Sequence, residues 1–200
     1  MKRTQSRIGI YSGTFDPVHA GHMAFALQAM QEAKLDRLYF LPERRPRYKQ
    51  GVEHFAHRVA MLERAISPHR NIGVLDYVDT NFTVERTLPK LEHQFSGSQL
   101  VFLLGSDTAR QMPGWSHVER LLSCCELVVG SRNTEESSAI EEEIASWAEQ
   151  PKALKVVASY APDVSSSSVR EALRRRQSVR GLLQSVARYS NRHWLYISLR

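Results

Sequence analysis

The sequence predicts an α/β fold, an open, doubly wound parallel sheet with a small C-terminal helical segment. Two observations carry this expectation. Short apolar runs alternate with amphipathic stretches of roughly 10–15 residues, the pattern of repeated strand–helix–strand units. The central runs are apolar nearly throughout instead of alternating, as strands covered on both faces must be. The length agrees: 200 residues suffice for one proper core, and a single domain over residues 1–200 is expected.

The elements follow in order. Residues 7–12 form a short apolar strand ended by Gly13. Residues 20–33 carry Met23, Ala26, Leu27 and Met30 at helical spacing. Residues 38–41 make a second strand, stopped by Pro42, and residues 53–66 a helix with Phe55, Val59, Leu62 and Ile66 on one side. A third strand spans 72–75, and a third helix spans 83–93 with Pro89 as a kink candidate. Residues 100–104 are the fourth strand, ending at Gly105. Helix then covers 107–122, broken at Pro113-Gly114, before a strand at 126–129, a helix at 135–149 and a last strand at 154–158. Helices at 167–176 and 182–191 close the chain. In such sheets ligands bind beyond the carboxyl ends of the strands, where strand order reverses. The loops after the first, second and fourth strands are therefore the ones to inspect.

Composition narrows the function classes. With 42 % hydrophobic and 24 % charged residues the chain reads as a soluble globular protein. No apolar run approaches the ~20 residues of a membrane span, and the basic N-terminus precedes only Ile8-Gly9-Ile10-Tyr11, too short for a secretory signal. A cytoplasmic protein is expected. Cys124 and Cys125 are adjacent, so neither a bridge nor a zinc site is expected, only small apolar residues entering a buried strand. A net charge of +6 favours an anionic partner without naming it.

The run Gly13-Thr14-Phe15-Asp16-Pro17-Val18-His19-Ala20-Gly21-His22 joins the first strand to the first helix. Gly13 permits a tight turn close to a ligand, Pro17 stiffens the entry, and the helix start offers N–H groups and partial positive charge to a phosphate. His19 and His22, three apart, share a face and can both donate to phosphate oxygens. Gly21 leaves room for an adenine or its ribose. A pair of histidines alone is equally the surface of a capped helix; the whole string is what points to phosphate chemistry. A zinc site would need a third ligand, and none offers itself. Late in the chain, Val164-Ser165-Ser166-Ser167-Ser168-Val169-Arg170 opens a helix with hydroxyls that cap it or bind phosphate. Arg170 follows on the same face and can take two phosphate oxygens.

The first string resembles the Gly-Thr-Phe-Asp-Pro-x-His-x-Gly-His signature of the nucleotidylyltransferase superfamily, whose members bind ATP or CTP on a Rossmann-like sheet. The second is similar to its Ile-Ser-Ser-Ser/Thr-x-Ile-Arg element. The resemblance implies that His19, His22 and Arg170 are catalytic and stabilise a direct displacement at the α-phosphorus. It implies that Gly13, Thr14, Phe15, Gly21, Ser166 and Ser167 bind ATP. Further stretches resemble the bacterial nicotinate mononucleotide adenylyltransferase branch: Gly105-Ser106-Asp107 with Met112-Pro113-Gly114-Trp115 and Leu121-Leu122, and Asn81-Phe82-Thr83-Val84 with Thr87-Leu88. His57-Arg58 with Met61-Leu62 and Ala65-Ile66, and Ser178 to Tyr196, fit as well. Trp115 offers a flat face to a pyridine ring, Asp107 can hold ribose hydroxyls, and Thr83 can bond the ring substituent; these three are the expected mononucleotide-binding residues. The competing roles are helix packing for Trp115 and an N-cap for Asp107.

The chain departs from the branch at Pro46-Arg47-Tyr48-Lys49, where Pro-Pro-His-Lys is usual, at Ser116, where an aromatic is common, and by one extra residue between Thr83 and Thr87. Lys49 remains an ATP-binding candidate, clustered with Arg44, Arg45 and Arg47 on a loop that either covers the substrates or is simply solvated. The expected reaction is adenylyl transfer from ATP to nicotinate mononucleotide, with Mg²⁺ carried on ATP oxygens and no protein metal site. Neither nucleic acid nor a membrane is expected as a partner, and homo-oligomerisation is left open. Two other readings stand beside it. One has nicotinamide mononucleotide or another phosphorylated acceptor, such as one served by cytidylyl transfer. The other is a non-catalytic domain that binds nucleotide or nucleic acid.

Overall fold

The computed structural model describes residues 5–46, 49–131, 133–158, 164–175 and 177–197, and every structural statement below concerns these. Arg47, Tyr48 and the expected helix end at Arg176 fall outside them, as do the first four residues.

Six strands form one parallel sheet: β1 (Arg7–Gly13), β2 (Arg37–Pro42), β3 (Ile72–Val74), β4 (Gln99–Gly105), β5 (Glu126–Ser131) and β6 (Leu154–Ala158). Their order is β3-β2-β1-β4-β5-β6, every neighbouring pair parallel. Chain order reverses between β1 and β4, so the loops leaving these strands diverge and open a crevice. Gly13 lies opposite Pro42, and Gly105 opposite Gly130. Four carboxyl ends thus share one edge.

Helices α1 (Ala20–Glu32), α2 (Phe55–Ile66) and α8 (Gln184–Arg192) cover one face; α3 (Val84–Gln94), α4 (Ser106–Gln111), α5 (Val118–Cys124) and α6 (Thr134–Ala145) cover the other. The strands divide their side chains accordingly. Val101 and Leu103 of β4 join Met23, Ala26, Met61 and Leu62 in the first core, whereas Leu100, Phe102 and Leu104 join Leu88, Leu91, Leu121 and Ile140 in the second. This two-sided burial is why the central strands read as unbroken apolar runs. Each fully buried Leu of these layers contributes about 2–3 kcal/mol through removal from water. The expected doubly wound sheet is present, with α7 (Ser166–Arg174) and α8 as the C-terminal helical segment.

Several boundaries differ, for identifiable reasons. The α2 helix begins at Phe55 because His54 caps it, its Nδ1 accepting from Ala56 N–H. The α6 helix stops at Ala145, since the Gln150 amide turns back to donate to the carbonyls of Ile144 (3.0 Å), Ala145 (3.3 Å) and Trp147 (2.8 Å). It thereby occupies terminal acceptors that further helix would have needed. The break at Pro113-Gly114 is a single 3₁₀ turn, Met112–Gly114, while α3 runs on through Pro89. Cys124 ends α5 and Cys125 caps it; both are free thiols, and only Cys125 is fully buried.

Candidate active site

A cavity of about 730 Å³ opens over the carboxyl edge between β1 and β4. Its walls bring together Gly13, Thr14, Phe15, His19, Gly21, His22 and Lys49 from the front of the chain with Ser166, Ser167 and Arg170 from the back, and Asp107 from the β4–α4 junction.

The front wall is built by the β1–α1 turn. Phe15 sits in the left-handed region (φ 51°) with its ring buried edge-on against Tyr11 and Phe40 and 5.1 Å from His22. It therefore shapes the turn with its backbone and supports His22 with its side chain. Gly13 is required where it stands, because a Cβ there would lie 2.9 Å from the Phe15 ring. His19 precedes the first turn of α1, and its N–H donates to His22 Nδ1 (3.3 Å). The two imidazoles lie against each other, centroids 3.7 Å apart and planes inclined by 32°. His19 Nδ1 is buried without a hydrogen-bond partner among the described residues. A buried polar atom left unpaired is costly, and this one lines the cavity wall.

Burial sets the protonation of the pair. Loss of solvation lowers the His19 pKa from 6.5 to about 4. His22 is pushed well below its ordinary value by burial first, then by His19 and Lys49. Both rings are neutral near pH 7 in a wall that also carries Lys49 and Arg170. An arriving polyphosphate would reverse the balance, since a neighbouring anion favours the charged imidazole.

The back wall is tied to the front by direct bonds. Ser166 Oγ donates to Pro17 O (3.0 Å), and Arg170 Nη1 donates to Asp16 O (2.7 Å). Arg170 Nη2 donates to Ser167 Oγ (3.2 Å), fixing hydroxyl and guanidinium on one face of α7. Ser165 caps α7, accepting from Ser168 N–H while the Ser168 hydroxyl accepts from Ser165 N–H. The helix start is thus stabilised without using Ser166 or Ser167. Lys49 closes a third side, its Nζ donating to Thr14 Oγ1 (2.9 Å).

Thr83 and Trp115 are not on this cavity. Thr83 caps α3, its hydroxyl accepting from Arg86 N–H. Trp115 packs on the second core with its ring 6.0 Å from that of Phe82. With the two rings packed this closely, a pyridine ring would stack between them only if these aromatic side chains swing apart. Asp107 reaches the cavity with a mostly exposed carboxylate 3.9 Å from Arg110.

Four further residues were given no site role by the sequence. Gly130 and Ser131 at the end of β5 line the cavity; the reversal rule reaches them once β5 is known to neighbour β4. Arg58 is 1 % exposed and donates to Thr14 O (2.6 Å), Glu43 O (2.8 Å), Arg44 O (3.2 Å) and Glu53 O (2.9 Å). It binds the β1 turn to the segment carrying Lys49. Tyr196 donates to Asp16 Oδ1 (2.6 Å) from near the C-terminus. No group of three His, Cys, Asp or Glu side chains among the described residues is placed to hold a metal, and no described helix is long and apolar enough to cross a membrane.

Residues 10–172 match the cytidylyltransferase-like family. The chain belongs to that family. Among its relatives, one from Leifsonia xyli subsp. xyli, named "Probable nicotinate-nucleotide adenylyltransferase", is 30 % identical over 203 residues, 99 % of this chain and 98 % of the relative. Another of the same name, from Thermomicrobium roseum, is 37 % identical over 134 residues, 64 % of this chain and 62 % of the relative. The fold of this cytidylyltransferase-like chain also matches the structure of Plasmodium falciparum nicotinic acid mononucleotide adenylyltransferase complexed with NaAD. That match has a TM-score of 0.77 at 19 % identity and covers 96 % of this chain and 98 % of the other.

Proposed function

We infer that this chain transfers the adenylyl group of ATP to nicotinate mononucleotide, giving nicotinate adenine dinucleotide and pyrophosphate. The observation that carries the reading is the meeting of the two phosphate-binding motifs: residues 16–17 of the first hydrogen-bond directly to Ser166 and Arg170 of the second. That juxtaposition, in a family whose near-full-length relatives bear the adenylyltransferase name, supports one triphosphate held between α1 and α7.

In this reading the mononucleotide phosphate oxygen attacks the α-phosphorus of ATP in line, the α–β bridging P–O bond breaks, and its electron pair leaves with pyrophosphate. Charge accumulates on α-phosphoryl and departing oxygens, where His19, His22, Lys49 and Arg170 can stabilise it. Thr14, Gly13, the Phe15 backbone, Gly21, Ser166 and Ser167 surround the nucleotide. Catalysis here is alignment and positive charge, not proton abstraction. The donor set suits a Mg²⁺ that arrives on ATP and keeps phosphate oxygens and water as ligands; it would neutralise polyphosphate charge.

The acceptor would lie toward Asp107, Thr83 and Trp115. The Trp115–Phe82 contact beside Thr83 offers an aromatic slot once it opens, and the mostly exposed Asp107 carboxylate lies on the cavity side, toward ribose hydroxyls. Pyrophosphate release should occur with ATP plus nicotinate mononucleotide and be far slower with CTP. Silence with both the acid and amide mononucleotides would end the assignment. Trp115→Ala should raise the mononucleotide KM about tenfold, the cost of one stacked aromatic contact, with ATP KM unchanged.

A further inference from the structure

The C-terminal segment after α8 ends in an unusual local conformation. Trp194 and Tyr196 both adopt left-handed backbone angles (φ 54° and 63°), which L-residues with large side chains avoid unless the surroundings impose them. What they achieve is to turn the Tyr196 ring into the protein, where its hydroxyl reaches Asp16 in the β1–α1 turn, 180 residues away.

Asp16 stands at a junction. Its side chain is 3 % exposed, so both carboxylate oxygens need partners from the protein. Oδ1 accepts from Tyr196 at 2.6 Å. Oδ2 lies 3.8 Å from Arg170 Nη1, which donates instead to the Asp16 carbonyl at 2.7 Å. Arg170 is therefore attracted to Asp16 but not fully engaged by it. The second guanidinium whose charge acts on Asp16, Arg58, has its donors committed to four backbone carbonyls and cannot swing over. Burial and the adjacent Asp16 also keep the phenol protonated far beyond neutral pH, so it remains a donor.

We propose that Tyr196 is a positioning residue for Arg170, acting through Asp16: by satisfying Oδ1, it keeps the Asp16 carboxylate from drawing the guanidinium fully inward, and so leaves Arg170 donors facing the nucleotide cavity. Without the phenol, Oδ1 loses its hydroxyl donor. Arg170, whose Nη1 already lies 3.8 Å from Oδ2, then closes to a two-point carboxylate contact and withdraws from the polyphosphate. The proposal rests on ATP occupying the cavity between α1 and α7.

The test compares Tyr196→Phe with Tyr189→Phe in the full chain. Tyr189 also loses one hydroxyl bond, that to His57 Nδ1 (2.9 Å), but it sits between α2 and α8, outside the cavity lining. Wild-type turnover with ATP and nicotinate mononucleotide is measured first; if there is none, the functional reading fails, and calorimetric ATP binding becomes the readout. Tyr196→Phe should weaken ATP, by KM or by Kd, about tenfold, with mononucleotide KM within about twofold. Tyr189→Phe should leave both within about twofold. In an Arg170→Ala background, Tyr196→Phe should add nothing, because the residue through which it acts is gone. An unchanged ATP KM and Kd in Tyr196→Phe overturns the proposal. So does an equal effect in Tyr189→Phe, or a full additive loss in the Arg170→Ala background, each of which marks a merely structural role.

Discussion

Acidification tests the electrostatic account of the site at its most specific point. His19 has a pKa near 6.5 when unfolded and about 4 in the fold, because burial strips its solvation. Between those values the unfolded chain holds a proton that the native chain refuses. Unfolding then takes up protons, and stability falls as pH falls. The contribution is fully present above about pH 6.5 and is lost progressively toward pH 4. A separation of about 2.5 pK units corresponds to about 3.4 kcal/mol in all, of which about 2 kcal/mol disappears between pH 7 and pH 5. That is a large share of the roughly 5–15 kcal/mol that holds a domain together. His22, lowered by the same burial and by His19 and Lys49 beside it, acts in the same direction.

Urea unfolding at pH 7, 6 and 5, for the native chain and for His19→Asn, isolates the effect, because Asn keeps a polar side chain at the helix start but does not titrate. The native chain should lose about 2 kcal/mol more than the variant over that span. Parallel stability curves for the two proteins would refute the reasoning: the imidazole would then be hydrated in the native state, and burial would not hold it neutral.

Three further outcomes are expected. ATP binding should take up protons near pH 6, seen as a dependence of calorimetric heat on the ionisation enthalpy of the buffer; no such dependence would mean the imidazoles stay neutral beside the phosphates. His22→Ala should lower kcat by about 10²- to 10³-fold, the usual cost of one donor aimed at developing charge, in the pyrophosphate-release assay; near-normal turnover would remove it from the reaction. Arg58→Met should cost about 3 kcal/mol or more in urea unfolding, since it leaves four carbonyls in the loops around the cavity without their donor. A loss below about 1 kcal/mol would show that water replaces the guanidinium easily.

What was legible in the sequence follows a physical division. Alternating apolar runs revealed the strands and helices because burial on both faces leaves no other pattern. The front motif was legible because it is local: one turn and the start of one helix hold ten consecutive residues. Arg58 was hidden, since on a helix an arginine reads as solvated, and its acceptors are backbone carbonyls, which carry no residue identity. Tyr196 was hidden by distance, its partner lying at the other end of the chain. Trp115 was ambiguous for another reason. A Trp that would stack on a ligand and a Trp that packs on a neighbouring Phe have the same signature, and in this conformation Trp115 does the second.

The neutral histidine pair also explains why so basic a wall need not repel itself. Lys49 and Arg170 line the cavity, and two imidazolium ions 3.7 Å apart beside them would add like-charge repulsion to the wall. Burial avoids this by withholding the protons until an anion brings compensating charge. In the proposed reaction that charge is greatest at the pentavalent α-phosphorus, so the imidazoles are driven furthest toward their donating, cationic form in the transition state and less so in the bound substrate. An interaction that strengthens along the reaction coordinate raises kcat, whereas a fixed cation of equal strength would bind substrate and transition state alike and serve mainly KM. In the proposed reaction, burial of His19 and His22 is therefore part of the chemistry, and hydrating the wall should slow turnover more than it weakens ATP.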